Sequence, residues 1–318
     1  MNKRRVAIAL IPCILGVIVA ARYLQAMASP ESGQPQFTDA VTYLAAGERL
    51  NAGHDLYRLG PGDRLLMIDP RISPAALLSP PPIAVLWRPI AALPFGFALW
   101  IAAVWIAVLG TTFYLVYRTG LRGAVVATAL APAIGVQLAS GNMAAFFPLL
   151  LTLAWHWRDT AVSGAIVGVM ASIKLAPGAL GGWLVGARAW RSLAAAAMAA
   201  FAALAFSVVG AGPSSIADYI GVARSVSPSP DSLSGLTGVS WLSPVVLVGG
   251  TILAIGLGRR PSWSFIVAVV ASVLGTPALY LSGYVTLLAT LAPAASQTGR
   301  AAQVGTIREL PIDNGIPH

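Results

Sequence analysis

Charge is what this chain has least of. Only 10% of its 318 residues are Asp, Glu, Lys or Arg, against 57% hydrophobic, and its mean hydropathy is +0.77. Soluble domains carry roughly 25% charged residues, so the composition excludes an ordinary water-soluble fold. Cysteine is nearly absent as well. Cys13 stands alone inside an apolar run, which leaves neither a disulfide partner nor a thiolate set for zinc. The histidines, His54, His156 and His318, are scattered, so a His-based metal site is not expected. Several signatures of chemistry are missing too. There is no Asp-x-Asp to hold a metal–nucleotide complex, no glycine-rich phosphate loop and no Gly-Lys-Ser. Nor is there a Gly-x-Ser-x-Gly elbow for an acyl-transfer nucleophile, and no internal repeat is visible.

What the chain does have is long apolar runs. Residues 98–116, 193–209 and 245–257 are uncharged and, with their flanks, long enough to cross a core of about 30 Å. The expectation is an all-α, polytopic integral membrane protein. The net charge of +9 could point to nucleic acid, but its distribution says otherwise. Lys3, Arg4, Arg5, Arg118, Arg122, Arg158, Arg188, Arg191, Arg259, Arg260, Arg300 and Arg308 fall in segments assignable to one side. Glu31, Asp39, Glu48, Asp55, Asp63, Asp69, Asp218 and Asp231 fall on the other. That asymmetry is the positive-inside pattern, so the basic excess reports topology and no nucleic-acid partner is expected.

The same markers lay out about ten crossings with both ends cytoplasmic. A first helix over 6–28 runs outward, followed by a long outer loop over 29–94. Helices over 95–117, 121–139 and 143–157 follow. A hairpin of short half-spans, 161–174 and 175–187, precedes a span over 193–210. An outer loop over 211–238, a helix over 239–258 and a bent pair over 264–292 complete the membrane domain, residues 1–295. The basic start and Ala26-Met27-Ala28 mimic a cleaved signal peptide, but the apolar length favours a retained anchor. The polar tail, 296–318, is expected to be disordered.

Lys174 stands out in this pattern. It lies deep in an otherwise apolar stretch, 161–187, with Pro177 three residues on. A charge at membrane depth costs about 2.5–3.5 kcal/mol on insertion scales and defaults to a functional role. A proline there ends or kinks the helix and frees backbone groups. Two readings stay open: a cation at a helix break facing a cavity, or a lysine snorkelling to the interface.

The outer loop holds most of the acids, so transfer or hydrolytic chemistry belongs there. Residues 37–50 are patterned as an amphipathic, interfacial helix: Phe37, Val41, Leu44 and Ala45 share a stripe, with Asp39 and Tyr43 at i, i+4 beside it. Asp39 is either an N-cap or a catalytic carboxylate. One carboxylate suffices for an inverting displacement, where it only accepts a proton from the attacking hydroxyl. Retention would normally want a second one close by, by analogy with glycosidases.

Taken in order, these residues form a set. Asp39, Tyr43, Ala45, Ala46, Leu50, Gly53 and Tyr57 come first, then Pro80-Pro81-Pro82 and Leu93-Pro94. Gly141-Asn142 leads into a leucine-rich helix ending at Trp155. Gly168, Lys174 and Pro177 follow, and then Thr276-Pro277 and Tyr284. The set resembles glycosyltransferase family 87, membrane enzymes of the GT-C superfamily that use polyprenyl-phosphate sugars. Asn142 stands where the family has glutamine, and Leu78 and Ser79 where it has an aromatic. The resemblance implies a hexosyltransferase in the cell membrane, working on its extracytoplasmic face. It would move a sugar, mannose in the best-known members, from a lipid-linked donor to a lipid or glycan acceptor. No cofactor or metal is implied beyond the donor. Asp39 would be the general base. Lys174, Tyr43, Tyr57 and Asn142 would bind substrate, Lys174 pairing with the donor phosphate. Tyr43, Tyr57, Trp87 and Trp241 would either stack on sugars or form an interfacial belt. An arabinofuranosyltransferase on the same scaffold, a lipid or polysaccharide transporter and a non-enzymatic assembly protein remain as alternatives.

Overall fold

The computed structural model describes residues 2–29, 35–58, 77–225 and 227–297. These form helices, with no strand among the described residues. The order is α1 (Lys3–Met27), α2 (Thr38–Asn51), α3 (Pro81–Ala92), α4 (Gly96–Thr119), α5 (Leu121–Ala129) and α6 (Ala131–Ser140). A 3-10 turn, Met143–Phe146, leads into α7 (Phe147–His156), and α8 (Ala161–Ile173) follows. After a second 3-10 turn, Ala176–Ala179, come α9 (Leu180–Gly186), α10 (Trp190–Ala211), α11 (Ser214–Ser225) and α12 (Leu233–Thr237). The chain then runs through α13 (Leu242–Gly256), α14 (Pro261–Leu274) and a long 3-10 segment, Leu281–Leu291. Helix continues to Gln297, so the first two residues of the expected tail are ordered into the fold. The rest of that tail lies outside the described residues, as do 30–34 and 59–76 of the outer loop.

Lengths separate the helices into two groups. α1, α4 and α10, with 25, 24 and 22 residues, are apolar and long enough to span a bilayer. The crossing expected over 121–139 is divided into α5 and α6, which meet at a bend of 58°. The bend has a cause, because Pro132 opens α6 and cannot donate to the preceding turn. The apolar segments Met143–His156, α8, α13 and α14 are shorter. At 13 residues α8 rises roughly 20 Å, well short of a 30 Å core. The protein is thus an all-helical, polytopic membrane protein, built from full spans and shorter helices.

Glycine lets the helices approach closely. Gly16 of α1 packs on Ile134, and Gly135 of α6 packs on Val19. On α8, Gly164 and Gly168 lie against the Ser192 and Ala196 backbone of α10, where any Cβ would run into a carbonyl. This small-xxx-small contact holds α8 rigidly and so places Lys174, six residues beyond Gly168. Gly168→Leu should therefore lower the melting temperature in detergent, as overpacking of this kind costs about 1–3 kcal/mol. An unchanged melting curve would remove α8–α10 contact as the support of the site. Elsewhere the core is aromatic: Trp155, Trp183 and Phe265 join α7, α9 and α14, with Trp183 and Phe265 ring centroids 4.9 Å apart.

Candidate active site

Asp39 is not an N-cap. That position belongs to Phe37, whose side chain cannot cap and whose φ of 54° is left-handed. A bulky residue rarely adopts this conformation, which costs on the order of 1–3 kcal/mol. Its neighbours hold it there. Gln36 Nε2 donates to the Leu24 carbonyl of α1 at 3.1 Å, Thr38 Oγ1 donates to the Pro35 carbonyl, and the Phe37 ring packs edge-on against Phe97. α2 consequently starts at a fixed angle, with half-buried Asp39 in its first turn.

The carboxylate is met by the side-chain amide of Asn142 and the hydroxyl of Ser140. That loop is tied down on every side. Asn142 Oδ1 accepts from Ala144 N at 2.8 Å, which orients the amide so that its Nδ2 donors remain for Asp39. Gln137 Nε2 donates to the Asn142 carbonyl at 2.7 Å, and Trp100 Nε1 donates to the Gly141 carbonyl at 2.8 Å. Gly141 has φ of 68°, and a Cβ there would lie 2.7 Å from that of Ala40, beside Asp39. Only glycine meets both demands.

Lys174 comes to the same place from another direction. α8 stops at Ile173, and Lys174 is extended, with φ −142° and ψ 127°, before the turn carrying Pro177. The expected helix break is therefore present. The half-buried ammonium lies within electrostatic reach of the Asp39 carboxylate. Burial raises the Asp39 pKa above the ordinary carboxylate range, opposed by Asn142, the Lys174 charge and Ser140. The sign is informative. A carboxylate that holds a proton more tightly is a better base, and it loses that role as pH falls through its raised pKa. Any activity relying on it should fall away on the acid side at a pH above that of an ordinary aspartate, which a pH–rate profile measures.

The aromatic expectations divide. Tyr43 is 2% exposed, its ring enclosed by Trp87 and Trp100. It presents no face to a sugar, but its hydroxyl lies beside Asp39, the Met143 backbone and the Ser79 side chain. Trp87 is fully buried in the same cluster, so stacking by that residue is ruled out. Tyr57 is not brought into the cluster. Its hydroxyl donates to the Ser79 carbonyl at 2.7 Å and its ring meets Tyr219 of α11, so it braces the loop one step behind Tyr43. Trp241 is 63% exposed at the start of α13 and matches a belt residue.

Other members carried no pattern in the sequence. Tyr23, in the last turns of α1, lies within electrostatic reach of both Asp39 and Asp231. Asp231 is held by the late part of the chain. Its Oδ2 accepts from Leu281 N at 2.9 Å, and its carbonyl accepts from Tyr284 Oη at 2.8 Å. Ser229 N donates to the Pro277 carbonyl at 3.0 Å. Pro277 and Tyr284, noted above as ordered motif residues, thus pin the outer loop beside the site. Among the described residues no three His, Cys, Asp or Glu side chains gather as a metal would require.

These features define a class: a helical membrane protein with a carboxylate, an amide and a lysine converging between apolar helices. A family model described as glycosyltransferase family 87 matches residues 78–304. The chain belongs to that family and is a glycosyltransferase. Asn142 and Lys174 lie inside the matched span, whereas Asp39, Tyr43 and Tyr57 precede it. Neither the comparison with curated proteins nor that with solved structures returns a match.

Proposed function

We propose that the protein transfers a hexose, mannose foremost, from a polyprenyl-phosphate donor to a lipid or glycan acceptor at the extracytoplasmic face of the cell membrane, with inversion. The observation carrying this reading is the meeting of Asp39 and Lys174, 135 positions apart in the chain, in one half-buried site. Leu175, the neighbour of Lys174, is 66% exposed on an apolar protein surface, which suits a donor whose chain lies in the bilayer.

The chemistry follows from the two charges. The acceptor oxygen attacks the anomeric carbon while the bond from that carbon to the phosphate oxygen breaks. Asp39 takes the acceptor's proton, and polyprenyl phosphate leaves with the bonding electrons. Lys174 pairs with the phosphate and stabilises the charge that grows there. Asn142 holds the Asp39 carboxylate in its orientation, and Tyr43 closes the site from behind. No cofactor enters this scheme.

The test is donor class. Purified protein should transfer radiolabelled mannose from polyprenyl-phosphate mannose and give no product from a nucleotide-sugar. Transfer from the nucleotide-sugar would overturn the reading. Product from polyprenyl-phosphate arabinofuranose alone would keep the mechanism and correct the sugar.

A further inference from the structure

A second site lies at the opposite end of α4 from the carboxylate. A cavity of about 370 Å³ is walled by Gly110, Thr111 and Tyr114 of α4, by Thr152, Trp155 and Trp157 around α7, and by the helix at 292–297. Trp100, which holds the Gly141 carbonyl, is fourteen residues from Tyr114 on the same helix. That separation is roughly 21 Å along the axis, so this cavity is not part of the transfer site.

Two features show what it would take. The walls are mostly apolar, and the rings nearest the surface, Tyr114 and Trp157, are 43% and 40% exposed. The cavity therefore opens sideways through aromatic residues. Two arginines flank it. The Arg118 guanidinium stands 5.9 Å from the Tyr114 ring centroid, and that of Arg158 stands 4.9 Å from the Trp155 centroid. Each cation thus rests on a ring that forms the cavity wall. Arg118 Nε and Thr111 Oγ1 are both buried with no hydrogen-bond partner among the described residues.

We infer that this cavity is a binding site for an anionic phospholipid of the leaflet that meets the arginine-rich end of the protein. One acyl chain fills the apolar space, and the phosphate lies between Arg118 and Arg158. Charge complementarity selects this occupant over a neutral lipid, since each Arg near a headgroup favours the anionic form. The basic residues of the chain collect on the same side, at Arg122, Arg188 and Arg191, the side expected to be cytoplasmic. The site is separate from the transfer reaction, and its test does not depend on activity.

Gly110 supplies a clean probe. A Cβ added there meets nothing within 4 Å, so Gly110→Leu fills space without a backbone clash. Full-length protein purified in detergent would be exposed to phosphatidylglycerol and phosphatidylcholine of matched chains, and bound lipid counted by native mass spectrometry. The wild type should retain phosphatidylglycerol about thirtyfold better, the scale that two cations near one headgroup supply. Gly110→Leu should reduce retention of both lipids. Arg118→Gln and Arg158→Gln together should abolish the preference, with Arg158→Gln alone serving if the double variant does not fold. Equal retention by the wild type, retention unchanged by Gly110→Leu, or a preference surviving loss of the arginines would each overturn the assignment.

Discussion

Asp39→Asn should reduce glycosyl transfer by about 10²–10⁴-fold, the usual cost of removing a general base. The substitution is nearly isosteric, and helix α2 does not depend on it, because Phe37 holds the cap position and Phe97 anchors the entry. An amide cannot accept the acceptor's proton, although it can still meet Asn142 and Ser140. Expression, membrane insertion and the melting curve should therefore stay close to wild type while turnover collapses. Near-normal turnover, measured by label transfer at saturating donor, would remove Asp39 from the chemistry.

Lys174→Met should weaken use of the lipid-linked donor by about 10–150-fold, the equivalent of losing a charge-assisted contact of about 1.5–3 kcal/mol. Methionine keeps the stem and its packing, and insertion should be as good or better once a membrane charge is gone. A second effect separates pairing from a bystander role. The Lys174 charge lowers the proton affinity of Asp39, so its loss should move the acid limb of the residual activity to higher pH. Unchanged transfer kinetics together with an unmoved acid limb would contradict the assignment of Lys174.

Both residues were legible in the sequence because charge is so rare in it. An isolated lysine three residues before a proline announces a helix break, and the structure has its break at Lys174. Asp39 was visible as a carboxylate on an amphipathic helix of the outer loop. Its ambiguity as a cap was settled by geometry, since the chain enters α2 through a strained Phe37 and not through a capping side chain. Asn142 is marked only by resemblance, as a substrate contact; in the structure one end of its amide caps the turn at Met143–Phe146 and the other faces Asp39.

The polar support of the site has no signal in the sequence. Ser140, Ser79 and Tyr23 are single hydroxyls at the ends of apolar helices, with no periodicity or spacing to mark them. Asp231 looked like one more outer-loop acid until Leu281 and Tyr284 fixed it against the late helical segment. For Tyr43 and Trp87 the sequence suggests sugar stacking or an interfacial belt, because sequence pattern does not tell a belt from a core. Their burial arises from contacts between α2, α3 and α4 that no single segment encodes. The bend between α5 and α6 has a local signal in Pro132, but the hydrophobic run through it is unbroken and masks the break.

In the proposed reaction a single carboxylate, Asp39, drives the transfer. Among the described residues Asp231 is the other carboxylate near the site, and one of its oxygens is already committed to Leu281 N. The most direct measurement is the anomeric configuration of the product formed from a β-linked polyprenyl-phosphate mannose, read by nuclear magnetic resonance. A single base and one displacement give an α-glycoside. A β-glycoside would require two displacements and a nucleophilic second carboxylate, and would contradict the account.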